Sequence, residues 1–130
     1  MLPLEDCRET AMNDLFERGM ELFNASRYFD AHEVWEDLWR ETHGRDKKLV
    51  QALVQSAVAL HHGSTGNYVG ARSVMERAIG NMKTATTYRG ADVAKLRSEL
   101  QQVSSEIDTG RPFASWRLPK IRRSVPADEE

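Results

Sequence analysis

The amino-acid sequence predicts an all-α protein: a compact five-helix bundle built from two related helical hairpins, a capping helix and an extended C-terminal tail. Three observations lead to this prediction. The four prolines, at positions 3, 112, 119 and 126, leave residues 4–111 free of the residue that breaks helices. Within that stretch Ala, Glu, Leu, Arg and Met are common, and clusters of β-branched residues are scarce. Its apolar residues also recur at intervals of three and four.

Five amphipathic helices fit this periodicity, and capping and glycine signals mark several of their ends. Ser26 is predicted to cap the second helix, and Gly44 follows its end. Asp92 is predicted to cap the fifth helix, which ends before Gly110. Because periodic segments fill the proline-free stretch, we expect about 65–75% helix and no β-sheet. The predicted helices span about residues 4–23, 27–42, 47–63, 67–84 and 93–109.

An internal repeat with an offset of 40 residues relates the second and fourth helices. Each copy is the second helix of a hairpin, and Gly19, Ala31 and Trp35 have the spacing of the small, small and aromatic positions in a tetratricopeptide hairpin. Two hairpins are fewer than a stacked solenoid needs, so we expect a bundle. Residues 1–110 are predicted to form one helical domain, followed by a basic tail at 111–130. The matched pairs are Tyr28/Tyr68, Ala31/Ala71, Val34/Val74 and Glu36/Glu76.

Composition and charge argue against several functional classes. The chain has 130 residues, 40% of them hydrophobic, which suffices for the core of one domain. Its single cysteine excludes an internal disulfide framework and multi-cysteine metal sites. A net charge of −2 gives no general attraction to nucleic acid or membranes, and the longest apolar run is far short of the roughly 20 residues that span a bilayer. The first residues do not resemble a signal peptide. We therefore expect a soluble, cytoplasmic protein with no membrane partner.

The sharpest chemical feature is a pair of polar residues within the apolar face of the second helix. On a helical projection at about 100° per residue, His32 and Glu36 lie beside Trp39 inside the apolar arc. A carboxylate there needs a partner, and residues four apart are neighbours on a helix. His61 lies on the apolar stripe of the third helix, which a short turn places antiparallel beside the second. We predict that His32, Glu36 and His61 converge in one partly buried pocket walled by Trp35 or Trp39.

Three interpretations of this pocket remain open, with Gln51 as a further lining residue. The side chains can form a hydrogen-bonded network that fixes the register of the helices. They can hold a divalent metal, since two His and one Glu form a known ligand set for zinc or iron with open positions. They can also form a metal-free acid–base or ligand-binding pocket. The motif is not the His-Glu-x-x-His of zinc proteases, because Val34-Trp35-Glu36 follows His32-Glu33.

The last twenty residues differ from the rest of the chain. Five basic residues precede the first acid of this segment, and four large apolar residues are interleaved with them. We expect an extended segment that lays its aromatic residues over an open edge of the bundle. The alternative, a patch for nucleic acid or an acidic partner, is weakly indicated by one short basic stretch on an otherwise acidic domain. The basic residues are Arg111, Arg117, Lys120, Arg122 and Arg123, and the apolar ones are Phe113, Trp116, Leu118 and Ile121.

The segment from Tyr28 to Arg40 resembles the bacterial and archaeal family of small helical proteins called domain of unknown function 309. The family motif His-x-x-x-Glu-x-x-Trp is matched by His32, Glu36 and Trp39. The resemblance covers about residues 14–85, and it implies a compact α-helical bundle and a metal role proposed for the His and Glu, without an established reaction. Further matching blocks are Leu49-Val50-Gln51, Ala59-Leu60-His61, Gly66-Asn67 and Gly70-Ala71.

The sequence leaves the biochemical function open between three classes. The first is a protein that binds a divalent metal such as zinc at His32, Glu36 and His61, and is hydrolase-like at most. The second binds a small ligand without metal. The third is a tetratricopeptide-like interaction module in which the polar cluster is structural. No nucleophile stands out, so no catalytic residue is assigned, and a second copy of the chain also remains open as a partner.

Overall fold

The computed structural model describes residues 4–124, with side chains from residue 7 onward. Within that part the protein is an all-α bundle, as predicted, and 71% of the structure is helical. None of the helices in this part is both long and apolar enough to cross a membrane. Helices α1 to α5 span Leu4–Asn24, Tyr28–Glu41, Asp46–Ser64, Tyr68–Asn81 and Val93–Asp108, strands β1 and β2 span Thr87–Tyr88 and Ala91–Asp92, and a 3₁₀ turn spans Phe113–Ser115.

The two helical hairpins, α1–α2 and α3–α4, are built on the same plan. Helices α2 and α4 have 14 residues each and begin 40 positions apart, and α1 and α3 end at the same offset. Both connecting turns contain a residue in the left-handed region, Ser26 with φ 63° and Gly66 with φ 85°. Ala31 and Ala71, the small residues of the repeat, are both fully buried. The offset seen in the sequence therefore corresponds to a repeated supersecondary unit.

Ser26 does not cap α2 as predicted. It occupies the left-handed turn position, and the N-cap position belongs to Arg27, whose side chain makes no capping hydrogen bond. In the second hairpin Asn67 is the N-cap, and its side chain accepts the backbone N–H three residues later at 3.0 Å. Asp92 caps α5 in the same way, as predicted. The error at Ser26 arises because short polar residues favour both caps and turns.

Helices α1 and α2 approach closely because Gly19 has no side chain. The indole of the fully buried Trp35 lies on the Gly19 backbone, where an added Cβ would be 2.1 Å from its Nε1. Trp35 Nε1 donates a hydrogen bond to the Phe16 carbonyl at 3.3 Å, which satisfies the buried N–H. The rings of Phe16 and Phe23 pack on the same indole, with centroids 6.4 and 5.6 Å away. Trp35 therefore lies at the centre of the first hairpin rather than in a pocket wall.

A short β-hairpin precedes α5, which contradicts the expectation of no sheet. Its two antiparallel strands place Tyr88 opposite Ala91. The turn has φ 48° at Arg89 and 83° at Gly90, positive at both central residues as in a type I′ turn. The Tyr88 ring meets Phe16 edge-on at 5.2 Å, so the hairpin closes the core beside α1. Strands of two residues carry too little alternation to be predicted from sequence.

Residues 111–124, referred to below as the tail, run along α5 in the direction opposite to the helix. Backbone N–H groups of Arg117 and Lys120 donate to Glu106 and then to Glu99, which lies about two turns earlier in α5. Arg123 then pairs with strand β2 in an isolated bridge. The apolar residues of the tail cover an open edge of the bundle. Trp116 and Ile121 are buried, and Phe113 and Leu118 are partly buried.

Replacing Gly19 with Ala should destabilise the protein, because the new Cβ and the Trp35 indole cannot occupy the same space. We expect the free energy of unfolding in urea to fall by about 1–3 kcal/mol, as in overpacked cores. Gly80→Ala in α4 is the matched control, since a Cβ there meets no atom within 4 Å. Ala is the better helix former, so this control should be neutral or stabilising by up to about 1 kcal/mol. Equal losses at both glycines would contradict the close packing.

Tyr88 should make the protein sensitive to alkaline pH. Burial raises the pKa of its phenol above the usual value of 10.0, and the hydrogen bond from Arg89 offsets part of that increase. Because the folded chain holds the phenol proton more tightly than the unfolded chain, stability is intact below about pH 10 and declines as pH rises through the folded pKa. In urea unfolding measured across pH, Tyr88→Phe should show a shallower alkaline decline than wild type. Identical pH dependences would disprove this contribution.

Candidate functional site

His32 and Glu36 are in contact on the surface of α2, one helical turn apart. His32 Nε2 lies 2.5 Å from Glu36 Oε1, and His32 Nδ1 lies 3.1 Å from the Phe29 carbonyl oxygen. The other carboxylate oxygen is 3.5 Å from Arg40 Nη2. The His32 side chain is 20% exposed and the Glu36 side chain 41%. The predicted partners therefore form part of a row of charged and polar groups at the edge of the helix, only partly removed from water.

His61 meets this group through the ring of Phe29. The Phe29 centroid is 5.2 Å from that of His32 and 5.4 Å from that of His61. No hydrogen bond or ion pair among the described residues joins the His61 imidazole to His32 or Glu36. His32 on α2 and His61 on α3 therefore both lie beside Phe29. The aromatic ring of Phe29 lies in contact with both imidazoles.

Trp39 and Gln51, predicted as pocket residues, line a small cavity between α2 and α3. Glu36 and Val54 are the other lining residues, and the cavity volume is about 180 Å³. Lys47 Nζ lies 3.9 Å from the Trp39 ring centroid, and the buried indole N–H has no hydrogen-bond partner within the described part of the chain. Sites for small molecules commonly measure about 300–1,000 Å³. This cavity is therefore too small for a typical ligand unless its walls move.

The donor atoms around His32 do not fit a metal centre. Among the residues whose side chains are described, no group of three or more His, Cys, Asp and Glu is placed to hold a metal ion. Zinc and iron sites of this type use at least three protein ligands, whereas only His32 and Glu36 come together here. One feature does resemble a metal-bound histidine, since Nδ1 faces a backbone carbonyl. Two donors in contact are nevertheless one short of the required set.

Phe29 and Arg40 belong to this group but are not among the predicted site residues. On the helical projection of α2, Phe29 brackets His32 and Glu36 on the side opposite Trp39, and Arg40 lies among the residues that face water. The contact of Arg40 with Glu36 can be predicted from the sequence, because these two residues have the same four-residue spacing as His32 and Glu36. Phe29 could not be recognised in the same way, since its contact with His61 is between helices.

Residues 16–74 match the model of the family described as "Domain of unknown function (DUF309)". The family resemblance is confirmed. The matched segment begins within α1 and ends within α4, so it includes the contact of Trp35 with Gly19 as well as His32, Glu36 and His61. Helix α5 and the tail lie outside the match.

Two relatives extend the comparison to longer proteins. An "Uncharacterized protein" of Aquifex aeolicus (strain VF5) is 24% identical over 118 residues, which cover 89% of this chain and 34% of the relative. The "Uncharacterized protein YpuF" of Bacillus subtilis (strain 168) is 32% identical over 102 residues, which cover 75% of this chain and 59% of the relative. The matched segments thus represent about a third and about three fifths of these proteins.

Replacing His32 with Ala should cost little stability, because the His32–Glu36 pair is only partly buried. Pairs of this kind on helices contribute about 0.3–0.5 kcal/mol, and Ala favours the helix, so we expect a loss below about 1 kcal/mol in urea. Leu38→Ala on the same helix is the matched control, since Leu38 is fully buried and should cost about 2–5 kcal/mol. A loss of several kcal/mol at His32 would instead indicate a buried structural network.

Proposed function

We propose that the protein is a metal-free helical-repeat interaction module in which His32 and Glu36 stabilise the surface of α2. The observation that carries this proposal is the repeat. Two hairpins with the same second-helix length and similar turns pack one after the other. Because the two hairpins follow one plan, they place equivalent residues of both units at corresponding positions of the surface, where a partner can contact both.

The exposed apolar side chains support an interaction surface. Phe29 and Val69 occupy equivalent positions at the start of α2 and α4, and they are 50% and 84% exposed. Tyr68, beside Val69, is 39% exposed. A single exposed apolar residue is ordinary on a protein surface. An exposed apolar residue at the same position of both hairpins, Phe29 in one and Val69 in the other, favours a surface that contacts other molecules.

The lengths of the relatives also support a module. In both, the segment similar to this chain is one part of a longer protein. We retain the predicted cytoplasmic location as part of the proposal, and we assign no enzymatic activity.

The two other functions considered from the sequence have less support. A hydrolase-like metal centre at His32, Glu36 and His61 lacks a third donor in contact with the first two. A small-ligand site at the predicted pocket residues would use the cavity of about 180 Å³ beside Trp39, which is smaller than a typical ligand site. Neither observation favours a second candidate function over the interaction module.

Metal analysis tests the metal-free part of this proposal. Untagged protein incubated with zinc, then desalted and measured by elemental analysis, should retain far less than one metal ion per chain, because the donor set is incomplete. Glu36→Gln is the matched control, since it removes the carboxylate charge while preserving the side-chain shape. One tightly held metal ion per chain that is lost in Glu36→Gln would refute the proposal and favour the metal-dependent alternative.

A further inference from the structure

The tail lies in a groove between α5 and the C-terminal ends of α1 and α3, referred to below as the tail groove. The groove holds the tail largely by its main chain. The Asn24 side chain donates to the Ile121 carbonyl at 2.8 Å and accepts the Ile121 N–H at 2.7 Å. On the opposite wall, Glu106 and Glu99 accept the backbone N–H groups of two further tail residues at 3.1 and 3.0 Å. Because these side chains bind main-chain groups, they can also hold an extended segment with a different sequence.

The repeat leaves a gap in this groove that the tail fills with an aromatic ring. In the first hairpin Phe23 packs edge-on against Tyr28, with centroids 5.5 Å apart. The position equivalent to Phe23 in the second hairpin is Gly63. The ring that packs against Tyr68, the equivalent of Tyr28, comes instead from Trp116 at 5.7 Å. A Cβ on Gly63 would lie 2.4 Å from that indole, so the absence of a side chain creates the notch that Trp116 occupies.

The charges of the tail and the groove are complementary. Arg122 pairs with Glu99 on one wall, and Arg123 pairs with Glu17 on the other. The second carboxylate oxygen of Glu17 is buried, and it has no hydrogen-bond partner in the described part of the chain. The groove therefore offers acidic groups on both walls to a basic segment, and one acceptor is still available to a further donor.

We propose that the tail groove is a binding site for an extended basic segment of a partner protein, and that the tail occupies this site in cis. The partner segment carries an aromatic residue for the notch at Gly63 and an aliphatic residue five positions later, opposite Asn24. This inference rests on the proposed interaction function and names the chemistry of the partner. A partner must displace the tail, which competes at an effective concentration of the order of millimolar because it belongs to the same chain.

The test uses a fluorescein-labelled peptide with the sequence of residues 111–124, titrated into the full chain and followed by fluorescence anisotropy. The host is the full chain carrying Trp116→Ala and Ile121→Ala, which removes both anchors of the cis tail and leaves the groove side chains in place. This host should bind the peptide at least about tenfold more tightly than the wild-type chain, because its cis competitor is weaker. A peptide with Ala in place of its Trp should bind the host about tenfold more weakly.

Matched glycine variants of the host examine the notch itself. Gly63→Ala introduces a Cβ where the indole lies and should weaken peptide binding about tenfold or more, whereas Gly80→Ala should leave it unchanged. Circular dichroism checks that each variant remains helical. If the double variant unfolds, Ile121→Ala alone serves as the host, and it should bind the peptide more tightly than the wild-type chain does.

Three results would overturn the proposal. The first is the absence of peptide binding to a folded host, and the second is binding that Gly63→Ala leaves unchanged. The third is a wild-type dimer in analytical ultracentrifugation that Trp116→Ala dissociates, since the partner would then be the tail of a second copy. Repeating the peptide titration in the presence of EDTA and in the presence of zinc separates this proposal from the metal test. If the folded host binds no peptide under either condition, the peptide site is refuted and the metal-free function is not. If the protein retains zinc, the metal-free function is refuted and the peptide site is not.

Discussion

The contact between Trp35 and the backbone of Gly19 determines how the first hairpin is arranged. An indole that lies on bare backbone brings α1 and α2 closer than any larger residue at position 19 would permit. With Trp35 turned fully inward, His32 and Glu36 lie roughly 60–100° away around α2 and reach the edge of the buried face rather than its centre. The polar pair is therefore partly exposed, because Trp35 occupies the core on the same helix. The same packing explains why the carboxylate is accommodated without a buried partner.

The second hairpin follows the same backbone plan with a different core. Met75 occupies the position equivalent to Trp35, and Gly63 the position equivalent to Phe23, so two large rings of the first hairpin are missing. Helix α5 and the tail supply the apolar surface that replaces them, with Trp116 packed against Gly63 and Tyr68. The repeat thus produces one hairpin with its own aromatic core and one that depends on a later segment of the chain.

The fold could be predicted largely from the sequence, whereas the site could be predicted only within single helices. Apolar periodicity and glycine positions locate the five helices, because both signals are local. The pairing of His32 with Glu36 is local as well. The position of His61 depends on how far apart two helices lie and on what lies between them, and the ring of Phe29 fills that space. The β-hairpin escaped prediction because two-residue strands have no period, and Ser26 because its side chain suits two different backbone roles.

The tail groove holds the tail through ion pairs and through the fit of an aromatic ring, and salt concentration affects these two kinds of contact differently. The ion pairs formed by Arg122 and Arg123 are partly exposed, so salt screens them, and they contribute chiefly to orientation and to the rate of association. The notch at Gly63 and the partly buried hydrogen bonds of Asn24 involve no ion pair, so salt affects them little. Emptying the notch would expose the indole and leave a void against Tyr68, so a segment without a ring cannot replace the tail at equal free energy. Charge therefore brings a basic segment to the groove, and the fit of its ring decides whether it stays.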